Sequence, residues 1–94
     1  SDLEGAAVYQ SSLVSFGYRA RTPGLAEKLA QKLAREIHLP KSDSYQGDLW
    51  LKQVGQVKEF ILLKDEYVFR ILYNGLEPLE NLIQLEEDKI GTLQ

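Results

Sequence analysis

The chain has 94 residues, 44% of them hydrophobic and 27% charged, with a formal net charge of −3 and no cysteine. This length supports one modest core, and the composition is that of a single soluble globular domain, residues 1–94. It excludes a disulfide framework and thiolate chemistry, and no apolar run approaches the roughly 20 residues of a membrane-spanning helix.

The absence of Cys leans toward an intracellular, reducing compartment. The charge is unevenly placed. Residues 17–41 hold six basic side chains against two acidic ones, and residues 74–94 hold five acidic against one basic. Such segments can complement each other within one fold or between copies.

Residues 1–5 read as a frayed or processed end. Residues 6–20, AAVYQSSLVSFGYRA, are rich in β-branched and aromatic side chains and predict a long strand. Val14, Phe16 and Tyr18 share one parity; Leu13 and Arg19 share the other. Ser11, Ser12 and Gly17 predict a bulge or bend.

Thr22, Pro23 and Gly24 form the clearest start signal in the chain, with Thr22 as N-cap and Pro23 at the first helical position. A helix over 23–38 follows. Leu25, Leu29, Leu33 and Ile37 recur at four-residue spacing, and Ala26, Ala30 and Ala34 form a small-residue column that lets the helix lie close on a sheet. Lys28, Gln31, Lys32 and Arg35 form its opposite face. Leu39 and Pro40 end it.

Residues 41–47 read as a polar loop. Then come three short apolar runs, 48–54, 57–64 and 67–73, with the breaks Gly55, Gln56 and Asp65, Glu66 between them. They predict an antiparallel meander. Gly55 and Gln56 fit a tight hairpin turn; Asp65 and Glu66 suit one less well and leave room for a longer loop. Phe60, Leu62, Val68 and Leu72 are expected on one face, and Ile61, Leu63, Phe69 and Ile71 on the other. Asn74 and Gly75 mark a turn. The tail reads as a helix, with Pro78 first, Leu79, Leu82, Ile83 and Ile90 on one face and Gly91 as its stop. Residues 81–85 also fit a fourth meander strand.

The expected fold is therefore α+β: an antiparallel sheet in the order β-α-β-β-β, followed by a helix or a strand, with helix 23–38 packed on one face in two layers. Strands 57–64 and 67–73 are apolar on both sides. One helix cannot cover both, so the second face needs the C-terminal helix, a second sheet or a partner.

No side-chain pattern specifies a reaction. His38 has no second His or Cys to share a metal with and reads as a helix-end residue. Asp65 with Glu66, and Glu86 with Glu87 and Asp88, read as solvated carboxylates. No catalytic residue, cofactor or metal site is expected. The function expected is a non-enzymatic protein-interaction or accessory module, part of a larger protein or assembly and able to self-associate through its sheet. The partner-binding candidates are Trp50, Phe60, Leu62, Val68 and Leu72; Tyr45 and Trp50 flank the start of the meander. The alternative is an anion- or nucleic-acid-binding domain using Arg19, Arg21, Lys28, Lys32 and Arg35 in the basic segment 19–41. The acidic balance of the whole chain argues against a nucleic-acid partner.

Overall fold

A computed structural model describes residues 12–43 and 47–93. The elements run β1 (Ser12–Arg19), α1 (Pro23–Glu36), β2 (Asp48–Val54), β3 (Val57–Lys64), β4 (Tyr67–Asn74) and α2 (Leu79–Leu93). The expected order is borne out, and the tail is helical. The part of the N-terminal strand expected over 6–11, the frayed end at 1–5 and Tyr45 lie outside the described residues.

The sheet is antiparallel throughout, in the order β1-β4-β3-β2. Gly55, with φ 59°, makes the first hairpin turn, as expected of a glycine there. The second connection is equally short: Lys64 pairs with Tyr67, and Asp65 takes the left-handed backbone (φ 54°) that the turn requires. β1 pairs with β4 in unbroken register from Ser12 to Arg19, so Gly17 introduces no bulge. It sits directly opposite Phe69, and a Cβ there would lie 3.1 Å from the Phe69 ring. The glycine makes room for an aromatic ring rather than for a bend.

The two-residue turns correct the expected division of the faces. A hairpin of that length sets an even-numbered residue opposite an odd-numbered one. Phe60 thus pairs with Ile71, and Leu62 with Phe69, while Leu63 pairs with Val68. One face carries Leu49, Phe60, Leu62, Tyr67, Phe69, Ile71 and Tyr73; α2 seals it with Leu82, Ile83 and Ile90. The other carries Trp50, Ile61, Leu63 and Val68; Ala26, Ala30 and Ala34 of α1, with Leu39 just beyond its end, cover these. The second face has found its cover in the C-terminal helix, so a third layer joins the two expected. Each large apolar side chain enclosed this way contributes on the order of 1.5–3 kcal/mol.

The ends of α1 follow from its sequence. Thr22 Oγ1 accepts from the Leu25 N–H at 3.2 Å, the expected N-cap. At the other end the helix stops at Glu36, two residues before the expected 38. His38 takes a left-handed backbone (φ 59°), its N–H donates to the Arg35 carbonyl, and the Leu39 N–H reaches back to the Ala34 carbonyl at 2.8 Å. This is a Schellman cap with histidine where glycine is usual. In α2 the helix runs through Gly91 to Leu93, so Gly91 is not its stop.

Candidate interaction surface

α1 lies over β2, β3 and β4 but leaves β1 bare on its side. Strand register fixes what shares that side. Tyr18 is level with Val68 and Leu63; Phe16 with Arg70, Ile61 and Trp50; Val14 with Leu72, Glu59 and Lys52. The members nearest α1 are buried. Those at the β1 edge are open: Phe16 is 52% exposed, Val14 and Leu72 are each 47%, and Tyr18 is 41%. The strip turns at its far end through the exposed Val57 and Val54, which pair with each other at the β2–β3 turn. Arg70 and Glu59, 3.6 Å apart, form an ion pair between the strip and the covered half.

The partner-binding candidates fall unevenly on this map. Leu72 is on the open strip. Trp50 and Val68 lie under α1, and Phe60 and Leu62 lie under α2. Lys41 adds a lid to Trp50: its ammonium stands 4.8 Å from the ring centroid and 2.6 Å from Asp48. Val14, Phe16 and Tyr18 escaped the sequence reading as interface residues. Their shared parity was visible; that no helix would lie on them was not.

The opposite face has a shallow groove where Gly17 provides no side chain. One arm, about 300 Å³, is lined by Gly17, Tyr18, Arg19, Tyr67 and Phe69. The other, about 390 Å³, is lined by Ser15, Gly17, Phe69, Lys89 and Thr92. A cation stands at each end, and each already holds a carboxylate. Arg19 pairs with Glu66 at 3.4 Å and lies over the Tyr67 ring. The hydrogen bond and charge of Glu66, with help from Tyr67, raise the Arg19 pKa above its ordinary value. Lys89 is 3.0 Å from Glu86.

Glu86 corrects another expectation. It is 2% exposed, with Oε1 accepting from the Ser15 hydroxyl at 3.0 Å and from Lys89 at 3.1 Å. Among the described residues its Oε2 has no hydrogen-bond donor and faces the charge of Lys89. The carboxylate is a buried pin between α2 and β1, not a solvated helix end. Four-residue spacing with Leu82 and Ile90 was the signal that it shares the apolar face.

The anion-binding candidates are not gathered. Arg19 is on the groove face and occupied by Glu66. Arg21 is exposed in the β1–α1 connection, and Lys28, Lys32 and Arg35 are exposed on α1. Comparison with protein-family models, with curated proteins and with solved structures finds no match to this chain.

Proposed function

We propose that this chain is a non-enzymatic protein-interaction module whose working surface is the open strip of Val14, Phe16, Tyr18 and Leu72. One observation carries the reading: large apolar side chains stand about half exposed together on the edge strand β1 and its neighbour β4, beside the two enclosed apolar clusters of the sheet. Contiguous apolar exposure of this kind marks interaction sites, and aromatic side chains are enriched in them. The strip offers no nucleophile beside a base and no shielded pair of carboxylates, so burial is the chemistry it supports.

The test is a photo-reactive residue at position 72, in the cell that makes this protein. The expected result is a dominant protein adduct that disappears when Phe16→Lys is also present. Adducts no more abundant than those from position 31, on the exposed face of α1, would contradict the reading. A second reading, anion binding, is favoured by the exposed line of Lys28, Lys32 and Arg35. It requires heparin retention at low salt that falls steeply with ionic strength and is lost in Lys32→Ala with Arg35→Ala.

A further inference from the structure

The two edges of the sheet are treated differently. The β2 edge is covered over Leu49–Leu51: Lys41 bridges to Trp50, the Ser42 N–H donates to the Leu49 carbonyl, and the Leu51 N–H donates to the Pro40 carbonyl. It also carries Asp48 and Lys52. The β1 edge pairs with no described residue on its outer side. From Ser12 to Tyr18 it has no charge, no proline and no bulge, the devices that ordinarily keep an edge from pairing.

From this asymmetry we infer that the strip's partner is a second copy of this chain, joined edge to edge through antiparallel pairing of β1 with β1. The inference rests on the interaction reading above and names its partner. A two-fold axis perpendicular to the sheet keeps each side of the sheet on the same side in both copies. Residues of equal parity must then face each other, and over Ser12–Arg19 the registers that pair the most residues set the axis at Ser15 or at Phe16. In the first register Val14 faces the partner's Phe16; in the second Phe16 faces the partner's Phe16 and Val14 faces the partner's Tyr18. Either way apolar meets apolar, and the strips of the two copies merge into one surface between the two α1 helices.

Charge permits this arrangement. Arg19 is the one charged residue of β1, and the axis sends the two copies of it to opposite ends. At about 3.4 Å per residue they stand roughly 20–27 Å apart, beyond the screening length of physiological salt. Because the β2 edge is covered over Leu49–Leu51 and flanked there by the charges of Asp48 and Lys52, β1 is the edge each copy offers. The assembly closes at two copies with eight strands instead of growing into a filament. A contact through one strand is small for a stable dimer, which places the association among the weak ones.

The native chain has no cysteine, so introduced thiols report alone. Directly opposed residues of antiparallel strands bring their Cα atoms within about 4.5–5.5 Å, inside the range a disulfide spans. On mild oxidation Phe16→Cys cross-links to itself in the second register, and Val14→Cys cross-links to Phe16→Cys in the first. One of these combinations should give a covalent dimer at least tenfold faster than Val57→Cys, which is exposed on the same side but away from the edge. Gln31→Lys, on the exposed face of α1 and outside the strip, should leave that cross-link in place. Cross-linking of both edge combinations no faster than Val57→Cys would overturn the edge-paired dimer. The interaction reading would survive that result if position 72 still captured a different protein.

Discussion

His38 shows how a residue whose side chain suggests chemistry can be held for its backbone. It sits in the left-handed region at the end of α1, where any side chain costs roughly 1 kcal/mol relative to glycine. His38→Gly is therefore expected to raise stability by about that amount, a few degrees in Tm for a domain of this size, measured by thermal unfolding. A fall would mean that the imidazole makes a contact the cap does not explain. Glu86 gives a second test. Ser15→Ala removes a donor from a buried carboxylate and should cost about 1–3 kcal/mol, whereas Glu86→Leu should be neutral or stabilising among Leu82, Ile83 and Ile90. Chemical denaturation of the two variants decides it; a Glu86→Leu loss larger than that of Ser15→Ala contradicts the assignment.

At the scale of elements, most of the fold was legible. Thr22 with Pro23 opened α1, the Ala26, Ala30 and Ala34 column named its sheet-facing side, and Gly55 named the first hairpin. The close approach this column permits makes a sharp prediction. Ala30 is fully buried against the sheet, so Ala30→Leu should destabilise by roughly 1–3 kcal/mol through overpacking, read as a lower denaturation midpoint. Ile90→Ala should cost about 2–5 kcal/mol if α2 seals its face as described. What the sequence did not show has a physical cause in each case. Asp65 adopted the left-handed turn that glycine or asparagine would have advertised, and that two-residue turn reversed the parity of β4 against β3. With the parity reversed, Phe60 and Leu62 lie on the α2 side and Val68 under α1 instead of all three sharing one face. Gly17 looked like a bend because strand periodicity says nothing of the aromatic ring opposite it.

For the whole molecule, the uneven charge distribution is separated, not neutralised. α1 holds Lys28, Lys32 and Arg35, with Glu27 and Glu36, on one side of the sheet, and α2 holds Glu80, Glu86, Glu87 and Asp88, with Lys89, on the other. Among the described residues no ion pair joins the segment 17–41 to the segment 74–93. That separation argues against internal pairing as the reason for the asymmetry. It also leaves β1, uncharged up to Arg19, as the neutral seam between two charged layers. An interface built on that seam is apolar and hydrogen-bonded, so its strength should change little between low and physiological salt, unlike an assembly that set α1 of one copy against α2 of the next.

Sedimentation velocity over a concentration series from micromolar to millimolar, on the native chain and on Phe16→Lys, is the most direct test of the β1 edge as the seam of a dimer. The account predicts a monomer that passes to a dimer and no further in the native chain, and a monomer throughout in Phe16→Lys, with unfolding midpoints alike. A native chain that stays monomeric over the whole range, or a Phe16→Lys chain that associates as the native one does, would contradict it.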